Sequence, residues 1–333
     1  MLLLTRTPLR VSLFGGGTDY PDYFHRRPGA VIGFAIDKYI HIALLKLTAF
    51  QPYNYRVSYS KLEHCDELAD VGHPVVREVV KHFGISDRVD VSVMSDLPAS
   101  GSGLGSSSAF TVGFLRLVYA LQGQRPTKID LAKKAIEVER DILKENVGVQ
   151  DQLHAAFGGI NRFDFDGPSI RITPLQMSSQ DLAMLNRSMV LVHTGIARRA
   201  TSTVAAQLEA TRAKTIDVEL AELYRLVGEC VTLLEAGGPN WIASLGEMLS
   251  ESWFIKRRLS SSVSNETLDS VFSAIKECGA YGAKLCGAGG GGFFLTLIEP
   301  ERVEELRERV HPLAVIPVSV DVDGAALVYE RAG

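Results

Sequence analysis

Cysteine is scarce in this chain: four residues, at positions 65, 230, 278 and 286, with no two at CxxC spacing. That excludes a disulfide framework and a cysteine-built zinc site, and it suits idle thiols in a reducing cytoplasm. The eight histidines are scattered without ligand spacing. Long apolar runs are missing too. The opening "MLLLTRTPLR" is broken by Arg6 and Pro8, too early for a signal peptide, and no stretch approaches a transmembrane length. Nor is there a basic excess. The net charge of −4 at pH 7 argues against a general nucleic-acid or membrane-surface binder and leaves room only for a local basic pocket. What remains is a globular composition, 46% hydrophobic and 22% charged, over 333 residues, enough for two domains.

Glycine, by contrast, comes in three clusters. The most informative is "LPASGSGLGSSSAF", Leu97–Phe110. No lysine follows its last glycine, so it is not a P-loop, and its GxGxG spacing is not a dinucleotide fingerprint. An alternating run, "DRVDVSVMSDLP", precedes it as a strand closed by Pro98, and an apolar helix follows. Gly101, Gly103 and Gly105 can take positive φ and expose consecutive N–H groups as an anion nest. The helix start adds its dipole and unpaired donors. Ser106, Ser107 and Ser108 add hydroxyls for phosphate or Mg²⁺. The segment Pro98, Gly101, Ser102, Gly103, Leu104, Gly105 through Ser108 is therefore expected to hold nucleotide phosphates. The alternative is a flexible loop capped by serines.

"GAGGGG" at Gly287–Gly292 contains GxGxxG, but a strand follows it, so the dinucleotide reading fails its context. Close backbone approach to a ligand or to the first loop is expected, with Gly289 and Gly290 facing substrate; a plain hairpin turn is the alternative. The opening cluster "FGGGTDY" sets Gly16 and Gly17 before Thr18, Asp19 and Tyr20, polar groups suited to sugar hydroxyls. A helix N-cap by Thr18 or Asp19 is the other reading.

Glu139 lies on an amphipathic helix and Asp151 lies beyond the turn "ENVGVQ". The turn could bring both carboxylates to one pocket, one for Mg²⁺ and one for a substrate hydroxyl. Two solvated acids on an exposed face is the competing reading. Elsewhere, 2–14 reads as a strand and 30–47 as two strands. Residues 127–145, 197–213, 217–235, 240–250 and 266–279 read as helices, as does "GVQDQLHAAFGG", a short one stopped by Gly158 and Gly159. Strands are expected in 160–174 and 188–194, flanking "GAGGGG" and at "AALVYE". The class is α+β, with a boundary near "MSSQD" dividing 1–180 from 181–333.

Taken together, "TPLRVSLFGGGTDY", "PASGSGLGSSSA", "GVQDQ" and "KLCGAGGGGFF" resemble, in order and over almost the whole chain, the motifs of the GHMP kinases. The resemblance implies an N-terminal domain like ribosomal protein S5 domain 2 and a ferredoxin-like C-terminal domain, with ATP in the cleft between. It implies that Ser107 and Glu139 ligate Mg²⁺, that Asp151 faces the acceptor hydroxyl and that Arg10 stands beside that hydroxyl. Asp19 and its neighbours would contact the sugar. Galactokinases have Glu-His where this chain has Gly16 and Gly17, so galactose is disfavoured. "GVQDQLHAAFGGINRF" and "VHTGIARRA" are in the style of the subgroup acting on a heptose 7-phosphate, while the opening also resembles L-fucose kinase domains. A catalytically silent sugar sensor is the reading from another class. Expected partners are a small sugar phosphate, with a homodimer left open, and neither nucleic acid nor membrane; the expected location is the cytoplasm.

A phosphorylated sugar needs a basic clamp away from ATP. In "VHTGIARRATSTV" a helix is expected to begin near Ala197, with Arg198 and Arg199 in its first turn. Cations are disfavoured there by the dipole, and a bound anion would offset that cost. Arg198 is the expected contact; a surface dibasic pair is the alternative.

Overall fold

The computed structural model of the protein describes residues 1–98, 101–196 and 201–331. The first half holds β1 (Leu2–Phe14), α1 (Pro21–Phe24), β2 (Gly29–Lys46), β3 (Tyr55–Ser58), β4 (Leu62–Cys65), α2 (Pro74–His82) and β5 (Val89–Ser95). These are followed by α3 (Ser106–Leu121), α4 (Lys128–Glu137), α5 (Gln150–Phe157), β6 (Ile160–Asp166) and β7 (Ser169–Pro174). The second half holds α6 (Ser179–Ser188), β8 (Met189–His193), α7 (Thr201–Arg212), α8 (Asp217–Ala236), α9 (Trp241–Arg257) and α10 (Glu266–Glu277). It ends with β9 (Gly282–Leu285), β10 (Phe293–Leu297), α11 (Val303–Val310), β11 (Val315–Pro317) and β12 (Ala326–Arg331).

Where two strands were expected over 30–47, there is one strand of 18 residues, β2. Pro8 of β1 faces Tyr39, but Leu9 faces Ile36, so Asp37 and Lys38 are extra residues on β2. Such a bulge bends and twists a strand without ending it. One half of β2 then pairs with β6 and the other with β5. Pro8 is tolerated because β12 pairs with β1 only as far as Arg6, so no ladder bond is asked of its missing N–H on that side.

The first sheet runs β12-β1-β2-β5-β3-β4, with β6 and β7 attached to β2. Helix α3 lies on it, packed between β1 and β2 on one side and α4 and α5 on the other. It is buried nearly all round, with Phe114, Leu115 and Leu117 fully so, as an apolar helix with no polar face must be. Each such side chain contributes about 1.5–3 kcal/mol by leaving water.

The second sheet is antiparallel, in the order β11-β8-β10-β9. With helices between β8 and β9 and between β10 and β11, this is the expected ferredoxin-like arrangement. Its separate core centres on Trp253, packed edge-on to Phe294 at 5.5 Å. The boundary expected at residue 180 falls inside α6. "MSSQD" is a helix start: the Ser178 hydroxyl accepts from the Asp181 N–H at 3.0 Å. Strand β12 returns to the first sheet. Helix α8 packs on β1 and β2, and α9 packs on β9 and on β1, so the two sheets share a seam. No helix among the described residues is long and apolar enough to cross a membrane.

Candidate active site

The seam opens into a cavity of about 630 Å³. One wall is the glycine–serine loop. Gly101, Gly103 and Gly105 have φ of 73°, 73° and 74°, the left-handed region expected of them. Gly105 precedes α3 without any side-chain cap, which leaves the helix N-terminus open to an anion. Arg10 fastens this loop to β1: its backbone N–H donates to the Leu104 carbonyl at 3.0 Å and its Nη1 to the Gly103 carbonyl at 2.6 Å. Ser102 and Ser106 share a hydroxyl–hydroxyl bond of 2.9 Å.

The third glycine cluster closes against the first loop, as expected. A Cβ on Gly103 would fall 2.6 Å from the Cys286 carbonyl oxygen, and one on Gly287 would fall 2.5 Å from Gly103 Cα. Gly287 and Ala288 line the cavity. Gly289 and Gly290 do not: Gly290 donates to the Val263 carbonyl at 2.8 Å and a Cβ on Gly289 would meet Val263. They serve packing under the cavity wall.

Asp151 opens α5 and meets Arg10 in a bidentate pair, Nε to Oδ1 and Nη2 to Oδ2, both 2.8 Å. The guanidinium is almost wholly buried while the carboxylate keeps a quarter of its surface open. Burial pulls the Arg10 pKa down, but the charge and hydrogen bonds of Asp151 outweigh this and leave it above its ordinary value. Both residues line the cavity.

The opening cluster forms the wall opposite. Gly16, Gly17, Asp19 and Tyr20 line the cavity. Asp19 is buried, and its carboxylate accepts the N–H groups of Gly17 at 3.0 Å and Gln150 at 3.4 Å. Burial raises its pKa, with Asp151 adding to the shift. Its main work is thus to shape the turn. Thr18 is fully buried and holds the Gly15 and Ala30 carbonyls at 2.8 and 2.9 Å, so it is a brace and neither a sugar contact nor a helix cap. Leu104 is core and Pro98 is exposed outside the cavity.

Glu139 sits in a π-helical turn, Val138–Ile142, and is fully buried. The exposed-face reading is thereby excluded. It stands one layer behind the cavity, and its Oε2 accepts from Ser108 Oγ at 2.8 Å and from Gln152 Nε2. Ser108, not Ser107, is its neighbour; Ser107 is exposed in the cavity mouth. Burial raises the Glu139 pKa to about 7 against the pull of its hydrogen bonds, and its Oε1 has no hydrogen-bond partner. An unpartnered buried carboxylate oxygen behind a serine-lined helix start fits a divalent cation. Among the described residues no three or more His, Cys, Asp or Glu side chains cluster as a metal site, so phosphate oxygens would have to complete the shell.

Arg198 lies outside the described residues. Besides Arg10, the exposed Lys144 and two buried cations line the cavity; the buried two are Lys256, at the end of α9, and Lys284, on β9. Neither of these two was anticipated. Lys284 carried a signal, since "GAKL" is an apolar strand with one charge in it. Lys256, in "IKRR", reads as an ordinary basic helix end. Ser12 and Gln150 also line the cavity and were missed.

A helix start bared to an anion, facing a carboxylate locked to an arginine across one cavity, defines a phosphotransferase. The chain matches the family descriptions "GHMP kinases N terminal domain" over residues 71–159 and "GHMP kinases C terminal" over 233–313. It is 30% identical to the D-glycero-alpha-D-manno-heptose 7-phosphate kinase of Campylobacter jejuni, over 90% of each chain. It is 25% identical to the bifunctional fucokinase/GDP-fucose pyrophosphorylase of Arabidopsis thaliana, over 94% of this chain and 31% of that one. In fold it is similar to the crystal structure of a D-glycero-D-manno-heptose 1-phosphate kinase from Bacteriodes thetaiotaomicron, with a TM-score of 0.80, 20% identity and full coverage of both chains. The chain belongs to the GHMP kinase family, and it is an ATP-dependent kinase.

Proposed function

We propose that this sugar kinase transfers the terminal phosphoryl group of ATP to the anomeric hydroxyl of D-glycero-D-manno-heptose 7-phosphate, giving the 1,7-bisphosphate. The observation that carries the reading is the Arg10–Asp151 pair, set between the open start of α3 and the glycine-lined pocket at Gly16 and Gly17. Phosphoryl transfer needs alignment and charge neutralisation more than covalent chemistry. Asp151 orients the acceptor hydroxyl and takes its proton, and Arg10 offsets the charge growing on the attacking oxygen. The loop Gly101–Ser108 cradles the phosphates. Ser107 and Glu139 hold Mg²⁺, which supplies positive charge to the phosphate oxygens when bound.

The pocket favours a large acceptor. A Cβ on Gly16 would sit 3.7 Å from Ser12 Oγ and 3.8 Å from Gln150 Nε2, so the missing side chain leaves space beside two polar groups. Ser12 Oγ and Gln150 Oε1 have no hydrogen-bond partner and suit sugar hydroxyls. The similarity to a fucokinase over nearly the whole chain favours L-fucose as the second reading. The kinase is proposed to act in the cytoplasm, with homodimer formation to be checked by sedimentation.

The test is ADP release with heptose 7-phosphate, unphosphorylated heptose and L-fucose as parallel acceptors. The 7-phosphate is expected to give the highest kcat/KM, by about tenfold or more, the size of one charged contact. A preference for L-fucose would replace the proposal with the second reading.

A further inference from the structure

Two lysines are buried in the cavity floor without a counter-charge. Lys256 and Lys284 are 8% and 6% exposed. Among the described residues neither has a carboxylate within salt-bridge distance. Lys284 Nζ donates to the carbonyls of Ser12 at 2.9 Å and Leu13 at 2.5 Å. Lys256 Nζ donates to Leu285 at 3.0 Å and to Gly287. An ammonium has three N–H donors, so each lysine keeps one beyond its two carbonyls.

Bracing carbonyls does not explain the pair. A buried charge without an opposite partner costs several kcal/mol, and two cations within each other's field cost more. Burial lowers the Lys256 pKa to about 8; burial and then Lys256 itself lower that of Lys284 to about 7. Arg10 adds to both shifts, and Cys286, the other titratable group beside them, is a buried thiol whose pKa burial raises. A dianion between the lysines would offset all of this.

Their positions say what kind of anion could arrive. Lys256 is tied to Gly287, which packs on Gly103 of the glycine–serine loop. Lys284 is tied to the end of β1, where Ser12 faces the acceptor pocket. We propose that Lys256 and Lys284 form a phosphate-binding site in the cavity floor, taking the oxygens of a phosphoryl group. That group is either the terminal phosphate of the nucleotide or a phosphate already on the acceptor. Only the acceptor arm rests on the function proposed above.

Lys256→Met and Lys284→Met remove each charge and keep the stem. Binding of sulfate, MgATP, MgADP and heptose 7-phosphate to the intact chain is measured by calorimetry. Sulfate affinity is expected to fall about tenfold or more in each variant, as for a lost charged hydrogen bond. A matching loss for MgATP but not MgADP assigns the site to the terminal phosphate. A loss confined to heptose 7-phosphate assigns it to the acceptor. Folded variants that bind all four as the wild type does, even with lowered melting temperature, leave the lysines as braces and overturn the proposal. If heptose 7-phosphate binds neither protein, the sulfate and nucleotide arms still decide. If the methionine variants do not fold, Lys256→Gln and Lys284→Gln decide, since each keeps a donor for the braced carbonyls but loses the charge; unchanged sulfate and nucleotide affinity in both would overturn the proposal.

Discussion

Arg10 grips Asp151 through two nitrogens while its third holds the Gly103 carbonyl, so the carboxylate is aimed from behind and left open toward the cavity. Asp151→Asn keeps the shape and one acceptor oxygen but loses charge and basicity. We expect kcat to fall by about two to four decades, the range for a general base, with MgATP affinity nearly unchanged. Turnover near wild type in a correctly folded variant would move the role to another group. One turn on, His154 is fully buried against Phe163, and neither ring nitrogen has a hydrogen-bond partner. Burial, and then the charge of Arg10, lowers its pKa to about 3. The unfolded chain takes this proton near pH 6.5, the folded chain only near pH 3. Its contribution to stability is therefore complete above pH 6.5 and is lost as pH falls toward 3, by up to about 1.4 kcal/mol per pH unit. His154→Leu should flatten the urea midpoint between pH 6.5 and 4. Equal slopes in both proteins would show that His154 titrates normally.

Helix α3 carries two serines with different tasks in its first turn. Ser108 is buried and donates to Glu139, while Ser107 is exposed at the cavity mouth. Ser108→Ala should cost about 1–3 kcal/mol by stripping a donor from a buried carboxylate. Ser107→Ala should barely change stability but should raise the Mg²⁺ concentration needed for half-maximal activity. If the two alanine variants exchange these effects, the inner serine holds the metal. Elements like this one are legible in sequence because local chemistry and pattern agree. Thr127 caps α4 by accepting from Asp130 N–H, and Gly158, at φ 67°, ends α5, both as spacing implies. The glycine loops are legible for the same reason, whereas the Arg10–Asp151 pairing, between residues 141 apart, is implied only by the family resemblance. What is not legible depends on distant partners. The continuity of β2 rests on a bulge opposite Pro8. The burial of Glu139 rests on the π turn that aims it inward. Lys256 resembles its half-buried neighbour Arg257 in every local respect until β9 covers it.

At the scale of the molecule, the two sheets are locked where the glycine loops touch, and that lock forms the cavity. Strand β12 sews the chain's end to β1, and α8 and α9 cross the seam, while at the site Gly287 packs on the Gly103 backbone and Gly292 on that of Gly101 and Ser102, bringing the nucleotide loop and the second sheet into backbone contact. Gly287 has φ of 68°, and an added Cβ would meet Gly103 backbone, which cannot yield as a side chain would. Gly287→Ala should therefore do two things. It should cost at least about 1–2 kcal/mol from the left-handed backbone alone. It should also push the loops apart and weaken MgATP binding by about tenfold or more, since the phosphate donors then lose their fixed spacing. Gly84→Ala separates the two effects. Gly84 has φ of 61° with nothing within 4 Å of its would-be Cβ, so it carries the backbone cost without the collision. The pair should lose similar stability by urea denaturation, or Gly287→Ala somewhat more, while only Gly287→Ala loses nucleotide affinity by calorimetry. If Gly287→Ala binds MgATP like Gly84→Ala, the loops touch without being coupled, and the nucleotide site belongs to the first sheet alone.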